Sequence, residues 1–245
     1  MTKESLRVLV TGAAGSIGTA FWKRRHGEFS LRLADLHTEG LAQAPCPSMQ
    51  LDVSDYATCL AACLDIDVVL HLAGVPHAGA DFDAQLLQPN IIGTHNIFRA
   101  AQAQGVTRVV FASSAQAVEA YPLDVQVHEH MSARPANMYG ASKAFGEGVA
   151  SAFAHQHGMT AIAVRIANVA RFAPGQQHSA RDIAAFISER DVVQLLACCI
   201  TADVPAGYHV VHGVSDNRYK RLSIDATRRL VGYAPQDDGF SLLGL

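Results

Sequence analysis

The sequence lacks the features that mark nucleic-acid-binding, membrane-spanning and secreted proteins. Its formal net charge is only −3, and no run of lysine or arginine interrupts it; such a chain offers no basic surface for nucleic acid or an anionic membrane. No segment reaches the roughly 18 consecutive apolar residues that span a bilayer, and the first apolar segment is too short for a signal peptide. We therefore expect a cytoplasmic protein whose partners are neither nucleic acids nor membranes.

Cysteine is sparse, and metal-binding spacings are missing. The five cysteines show no CxxC spacing, so we expect reduced thiols rather than disulfides. His128 and His130 flank Glu129, but no HExxH spacing or CxxC pair accompanies them. We predict no metal site.

What the sequence does have is a series of apolar, β-branched runs separated by alanine-rich segments of helical periodicity. The runs are RVLVTG, SLRLADL, DVVLHLAG, RVVFASS and TAIAVRIANV. Continuous apolar strands that alternate with helices predict an α/β fold, a Rossmann-type doubly wound parallel sheet covered on both faces. We assign residues 1–168 to a nucleotide-binding domain and residues 169–245 to a small substrate-binding cap, the two forming one compact unit.

A glycine-rich loop follows the first predicted strand. Gly12, Gly15 and Gly18 have the spacing that permits a sharp turn, close approach to a pyrophosphate and tight helix packing. The helix that starts near Ser16 would direct its N-terminal N–H groups at the phosphates. The same glycines also suit an ordinary strand-to-helix turn. Asp35, at the end of the next strand, favours the first interpretation, because a carboxylate there can bond the ribose hydroxyls of NAD and would repel the 2′-phosphate of NADP.

The later strands end in residues that suit the same site. The residues predicted there are Asp52, Val53, Leu72, Ala73 and Gly74. Asp52 and Val53 would bracket the adenine, and the other three would lie near the middle of the cofactor. Asp52 could instead cap the following helix, for which Ser54 is the better candidate.

A tyrosine and a lysine lie four residues apart on a predicted helix. Tyr139 and Lys143 therefore project from one face, and an ammonium one turn away would lower the pKa of the phenol toward that of a useful base. Ser113 and Ser114 end a buried strand, where hydroxyls reach the ligand crevice of an open α/β sheet. Each of these features also has a structural interpretation, as surface helix residues or turn residues. Their combination favours catalysis.

Taken in order, the segments TGAAGSIG, HLAG, NIIGT, FASS and YGASK resemble the extended short-chain dehydrogenase/reductase superfamily, also called the NAD-dependent epimerase/dehydratase family. The resemblance implies that Ser114 holds the reacting oxygen, Tyr139 transfers the proton, Lys143 also binds the nicotinamide ribose, and Asn90 supports the lysine. The complete set predicted to contact NAD is Gly12, Gly15, Ser16, Ile17, Gly18, Asp35, Leu36, Asp52, Val53, Leu72, Ala73, Gly74, Asn90, Ser113, Tyr139, Lys143 and Ile166.

Within that family the segments ARPANMYGASKAFGE, VRIANV and SARDIAAFISERDVVQLL are similar to the bacterial uronate dehydrogenases. That similarity implies that Arg181 grips a substrate carboxylate, although a solvated surface arginine is the alternative. The chain departs from the subfamily pattern where Ala115 and Gln116 replace an Asn-His pair and where Pro76 and Asn168 replace serines. The residues predicted to contact substrate are Pro76, His77, Ser114, Ala115, Gln116, Tyr139, Asn168 and Arg181.

The resulting expectation is an NAD-dependent oxidation of a hydroxyl, at the anomeric C1, of a uronic acid or a related small sugar or hydroxy acid. Two alternatives stay open: a sugar epimerase or dehydratase that retains its NAD, and a dinucleotide-sensing protein without catalysis. By analogy with the fold, we also expect a homo-oligomer formed through the helices that follow Asn90 and Tyr139.

Overall fold

The protein is described by a computed structural model that covers residues 5–245. Its centre is a seven-stranded sheet in which every neighbouring pair of strands is parallel. These strands are β1 (Arg7–Thr11), β2 (Ser30–Asp35), β3 (Ser48–Gln50), β4 (Val68–His71), β5 (Arg108–Ser114), β6 (Thr160–Ile166) and β9 (Gly207–Gly213). Their order across the sheet is β3-β2-β1-β4-β5-β6-β9. The first six follow the order of a Rossmann fold, which confirms the predicted fold class.

Helices cover both faces of this sheet. The helices are α1 (Ser16–Arg25), α2 (Tyr56–Ala62), α3 (Gly93–Ala103), α4 (Met138–His157), α5 (Ala180–Ala184), α6 (Glu189–Thr201), α7 (Asp225–Val231) and α8 (Gly239–Leu243). A π-helical segment, Phe82–Ile92, leads directly into α3, and short 3-10 turns occupy Glu39–Leu41 and Ala115–Val118. None of the residues 5–245 belongs to a helix that is long and apolar enough to cross a membrane.

The sheet separates two apolar clusters. On one face α1 packs against α6, and buried side chains such as Phe21 and Leu196 join Val10 of β1. On the other face α2, α3 and α4 pack in sequence, and Phe98 and Phe111 meet edge to face with ring centroids 6.4 Å apart. Because both faces are buried, the strands read as continuous apolar runs, as the sequence indicated.

The sheet does not stop at the predicted boundary between the two sequence ranges. β9, from the range predicted to form a cap, pairs along its whole length with β6 and so completes the main sheet. The rest of that range includes a two-stranded ribbon, formed by β7 (Asn168–Val169) and β8 (Phe186–Ile187), and α5. The division at residue 168 therefore cuts through the Rossmann sheet rather than beside it.

The topology fixes where a ligand can bind. The chain leaves β1 toward β2 on one side and reaches β4 on the other, so the loops after β1 and β4 diverge at the carboxyl edge of the sheet. Ligands of open α/β sheets occupy the crevice at such a point. The glycine loop follows β1, and Ser114 ends β5 on the same edge.

Candidate active site

A cleft of about 850 Å³ opens at the carboxyl edge of the sheet. That volume lies in the range of ligand sites. The cleft is lined by most of the residues predicted from sequence. The predicted residues found in its lining are Gly12, Gly15, Ser16, Ile17, Gly18, Asp35, Leu36, Asp52, Val53, Leu72, Ala73, Gly74, Pro76, Ser113, Ser114, Gln116, Tyr139, Lys143, Ile166 and Asn168. Four predicted residues, Asn90, His77, Ala115 and Arg181, are not part of it.

The glycine loop is packed so tightly that side chains have no room at two of its positions. Gly12 has a φ of +68°, and a Cβ there would lie 2.7 Å from the backbone nitrogen of Ala73. A Cβ on Gly18 would lie 2.4 Å from the carbonyl oxygen of Gly12. The loop after β1, the loop after β4 and the start of α1 are therefore in direct backbone contact, as a phosphate cradle requires.

The N-terminus of α1 keeps its hydrogen-bond donors available. Gly15 is the N-cap and provides no side-chain acceptor, and the first turn contains no acidic residue. In contrast, α2, α4, α5 and α6 begin with a side chain that accepts from their first turn. The free N–H groups and the positive end of the helix dipole fit the pyrophosphate of a dinucleotide.

Asp35 is held at the adenosine end of the cleft. Its Oδ2 accepts from the backbone N–H of Ala14 at 2.9 Å, and its Oδ1 accepts from that of His37 at 3.1 Å. Arg32, on the same strand, directs its guanidinium to the carbonyl oxygens of Ala62 and Leu64. The carboxylate at this end therefore has no arginine beside it on β2, which fits a ribose with free hydroxyls better than one with a 2′-phosphate.

Asp52 lies in the cleft lining but is also used by its own turn. Its Oδ1 accepts from the backbone N–H and the hydroxyl of Ser54, at 2.8 and 2.7 Å. The N-cap of α2 is Asp55, whose carboxylate accepts from Ala57. The prediction that Asp52 or Ser54 caps this helix was therefore wrong by one or more residues.

Tyr139 and Ser114 form the reactive end of the cleft. Ser114 ends β5, Tyr139 lies in the first turn of α4, and both side chains line the cleft. The N-cap Asn137 fixes the start of α4, since its Oδ1 accepts from Gly140 at 2.8 Å. The two hydroxyls can therefore bond the same substrate oxygen.

Lys143 lies one turn further along α4 and is buried. Its Nζ donates to the carbonyl oxygen of Ala112 at 2.8 Å and lies 5.8 Å from the centroid of the Tyr139 ring. Burial raises the pKa of Tyr139, and the hydrogen bond with Ser114 acts in the lowering direction. Burial also lowers the pKa of Lys143 to about 8. The expectation that the ammonium dominates the pKa of the phenol is thus not met, because desolvation is the largest effect on Tyr139.

Asn90 supports the site without lining it. The residue lies in the π-helical segment next to Pro89, and its amide spans three elements. Its Oδ1 accepts from the N–H of Val75 at 2.8 Å, and its Nδ2 donates to the hydroxyl of Ser142 at 3.0 Å. A Cβ on Gly74 would lie 2.9 Å from that Oδ1. Asn90 therefore ties the loop after β4 to α4, rather than contacting the lysine directly.

A buried ion pair lies behind β5 and was not predicted from the sequence. The carboxylate of Glu147 on α4 accepts from Arg165 of β6 at 2.9 and 2.8 Å and from the hydroxyl of Ser113 at 2.6 Å. Both charged side chains are nearly inaccessible to water. The Ser113 hydroxyl is thus committed to Glu147, so the contribution of Ser113 to the cleft comes from its other atoms.

The substrate end of the cleft is lined by Pro76, Gln116 and Asn168. The Oε1 of Gln116 accepts from Asn137 at 2.7 Å, and the Nδ2 of Asn168 donates to Asp182 at 3.0 Å. His77 is exposed beside Pro76, and Ala115 is buried beneath the turn. The prediction that those two contact substrate finds no support in the shape of the cleft.

Arg181 is not the free cation that the family resemblance implied. Its Nε donates to Glu119 at 2.8 Å, its Nη2 donates to the other carboxylate oxygen of Glu119, and its Nη1 donates to Asp182 at 3.3 Å. The Arg181 and Glu119 side chains are only 15% and 19% exposed. Sequence analysis did not predict that Glu119 forms an ion pair with Arg181.

Residues 5–245 contain no group of three or more histidine, cysteine, aspartate or glutamate side chains arranged to hold a metal ion. His128 and His130, which the sequence brought together, stack with ring centroids 5.7 Å apart.

Comparison with known proteins agrees with this geometry. The model of the NAD dependent epimerase/dehydratase family matches residues 8–199. The NAD-dependent glucose-6-phosphate dehydrogenase of Haloferax volcanii is 36% identical, with 94% of this chain and 93% of that protein covered. The uronate dehydrogenase of Pseudomonas putida is 32% identical, with 94% and 84% covered. A mutant uronate dehydrogenase of Agrobacterium tumefaciens, solved in complex with NAD, superposes with a TM-score of 0.86 at 32% identity, covering 96% of this chain and 86% of that one.

Proposed function

This chain belongs to the NAD dependent epimerase/dehydratase family, and from that membership we propose that it oxidises the anomeric C1 hydroxyl of a small sugar with Tyr139 as proton acceptor. It is an NAD-dependent dehydrogenase of the extended short-chain type. The observation that carries the residue assignment is that Ser114, Tyr139 and Lys143 line the same cleft as the glycine loop and Asp35.

The residues at the nucleotide end fit NAD. The backbone of Gly12, Gly15 and Gly18 would accommodate the pyrophosphate at the start of α1, and Asp35 would bond the adenosine ribose. Lys143 would bond the nicotinamide ribose. When bound, NAD supplies a positively charged nicotinamide ring that accepts a hydride.

Tyr139 and Ser114 would handle the proton. Ser114 donates its hydroxyl hydrogen to the substrate oxygen and fixes its position, because its own Oγ is held by the N–H of Gln116 at 3.2 Å. The phenolic oxygen of Tyr139 then receives the hydroxyl proton as the carbonyl forms. The buried ammonium of Lys143 would favour the phenolate, against the desolvation that raises the pKa of Tyr139. Asn90 is a positioning residue in this scheme.

Removal of the phenolic oxygen tests the proposal. Tyr139→Phe should bind NAD normally and lose turnover by about 10³-fold, since a positioned acid–base group contributes 10²–10⁴. Tyr208→Phe is the matched control, because Tyr208 lies on β9 outside the cleft lining and should retain full activity. The assay follows NADH formation over a panel of neutral aldoses and the matching uronates. Unchanged turnover in Tyr139→Phe would refute the assignment of the base.

The same panel separates the alternatives. An epimerase or dehydratase would keep NAD through gel filtration and release no NADH, and a dinucleotide sensor would bind NAD with no turnover of any sugar. Assembly into a homo-oligomer through α3 and α4 stays a prediction. Those helices pack against each other on one face of the sheet, and Phe145 on α4 is 41% exposed.

A further inference from the structure

Glu119 pairs with Arg181, the arginine that the family resemblance assigns to a substrate carboxylate. The carboxylate meets the guanidinium of Arg181 with both oxygens, and Asp182 takes the remaining nitrogen. All three guanidinium nitrogens therefore already have carboxylate partners. Two carboxylates therefore surround this one cation, and each of its nitrogens is already engaged before any substrate arrives.

This ion-pair group is joined to the substrate end of the cleft by two short connections. Glu119 ends the 3-10 turn Ala115–Val118 that follows Ser114, and Gln116 of that turn lines the cleft. On the other side, Asp182 accepts from Asn168, which also lines the cleft. The charges of the group therefore act on whatever occupies this end.

A second cation faces the group but is also committed. The guanidinium of Arg221 donates to the carbonyl oxygens of Tyr121, Pro122 and Val125, at 2.6 to 2.8 Å. The pKa of Arg221 is lowered, mainly by its own burial, while the charge of Glu119 acts to raise it. Arg221 thus offsets part of the negative charge around Glu119, while its Nη1 and Nη2 donate to backbone carbonyl oxygens rather than to a ligand.

An anionic substrate would find poor binding here. A carboxylate or phosphate could reach Arg181 only by displacing Glu119, which would then be left as an uncompensated charge in a largely buried position. If Glu119 stayed, the substrate anion would face two carboxylates. A neutral sugar meets neither obstacle, and its hydroxyl groups can donate to carboxylate oxygens.

We propose that Glu119 is a specificity-determining residue, which holds Arg181 in an internal ion pair and makes this cleft select uncharged sugars over sugar acids and sugar phosphates. The proposal rests on the proposed function, because it names the substrate class of the same site. Within the sequence expectation of a uronic acid or a related small sugar or hydroxy acid, it selects a neutral aldose.

The test compares sugars that differ at one carbon. NADH formation is measured with D-glucose, D-glucuronate and D-glucose 6-phosphate, and with D-galactose and D-galacturonate. The wild-type protein should show a kcat/KM for each hexose at least about tenfold above that for its anionic partner. Preference for a uronate or for the phosphate in the wild-type protein would overturn the proposal, even if no variant could be purified.

Removal of the Glu119 charge then tests whether this residue causes the preference for uncharged sugars. Glu119→Gln keeps the size of the side chain, and it should raise the uronate-to-hexose ratio of kcat/KM on the order of 10- to 100-fold by freeing Arg181. The double variant Glu119→Gln/Arg181→Gln should lose that gain. Glu189→Gln is the matched control, since Glu189 pairs with Arg24 and Arg171 away from the cleft and should leave the ratio unchanged.

The outcomes distinguish this proposal from the proposed function. An unchanged ratio in Glu119→Gln, measured on a variant with native circular dichroism, would overturn the role of Glu119 while the dehydrogenase activity stands. If the uronate-to-hexose ratio rose as much in the double variant as in Glu119→Gln, the role of Arg181 would be overturned. Absence of NADH with every sugar in the wild-type protein would instead contradict the proposed function itself.

Discussion

The two ends of the cleft are built in different ways. The nucleotide end is made largely of backbone: a glycine turn, the start of α1 and the ends of β2 and β4. The predicted substrate end carries side-chain pairs that join separate segments, Gln116 with Asn137 and Asn168 with Asp182. Beside it, outside the lining, Glu119 pairs with Arg181, 62 residues further along the chain. Backbone contacts of the first kind leave little freedom for substitution, whereas side-chain pairs of the second kind can be exchanged without altering the fold.

In the proposed function, this difference separates chemistry from selectivity. The nucleotide end and the Tyr139–Lys143 face would set the reaction, and their positions follow from the sheet and from α4. The side-chain pairs of Gln116, Asn168 and Arg181 would set which molecule enters. Dehydrogenases that share this reaction and differ in their sugar are the expected result of such a division.

The largest expected effect tests whether backbone contact really governs the nucleotide end. Gly18→Ala places a methyl group where the carbonyl of Gly12 lies 2.4 Å away, so the loop has to shift. We expect NAD affinity to fall at least about 100-fold, because a small displacement removes several phosphate contacts together. Trp22 is the only tryptophan, and its indole donates to Ala13 of this loop at 3.2 Å. A fluorescence titration with NAD therefore reports on the loop directly.

The control for this change is the same substitution in another helix. A Cβ on Gly148 of α4 would meet no atom within 4 Å. Gly148→Ala should bind NAD normally and be more stable by about 1 kcal/mol, as expected for alanine in place of glycine in a helix. Normal NAD binding by Gly18→Ala would break the comparison between the two ends.

Sequence reasoning succeeded where the signal is local and steric. Gly12, Gly18 and Asp35 fall within one strand-helix-strand unit, so their spacing already encodes their geometry. Tyr139 and Lys143 are likewise fixed by the helical repeat. The parallel, doubly wound sheet followed from the continuous apolar strands that alternate with helices. The place of β9 in the main sheet did not, because pairing partners across a sheet are not encoded in spacing.

Sequence reasoning failed where a residue's role depends on a partner far along the chain. Arg181 has the right type and position for an anion, and only the fold shows that Glu119 neutralises it. Glu147 and Arg165 form their buried pair in the same unpredictable way. The one available signal was a glutamate three residues after Gln116 in a turn that follows the catalytic strand, next to a predicted substrate residue.

A smaller effect is expected at two buried histidines, one on β4 and one on β9. His71 of β4 bonds Thr11 beneath the nucleotide end, and His212 of β9 bonds Ser223 on the C-terminal side. Both Nε2 atoms are buried without a hydrogen-bond partner among residues 5–245. Burial lowers both pKa values to about 3. The unfolded chain takes up these protons near pH 6.5, so stability is lost as pH falls from 6.5 toward 3.

Each histidine should contribute about 1.4 kcal/mol per pH unit to that loss, a factor of ten in the unfolding equilibrium. Chemical denaturation at pH 7, 6 and 5 measures the slope. His71→Asn and His212→Asn should each remove about half of it, whatever stability they lose at pH 7. If one substitution left the slope unchanged, that histidine would take up its proton at the same pH in the folded and the unfolded protein. The two histidines would then differ in how burial affects their pKa.

The smallest expected effect separates charge from shape within the nucleotide end. Asp35→Asn keeps an oxygen for the N–H of Ala14 and removes the negative charge, together with the acceptor for the N–H of His37. We expect the KM for NAD to rise about fivefold, since one charge-assisted hydrogen bond to the ribose is weakened. We also expect the NADP-to-NAD ratio of kcat/KM to rise about fivefold, because the repulsion of the 2′-phosphate ends. Asp52→Asn is the control, because that carboxylate is bonded to Ser54 in its own turn and should not alter the ratio. An unchanged ratio in Asp35→Asn would mean that the shape of the backbone, and not the charge of Asp35, selects NAD over NADP.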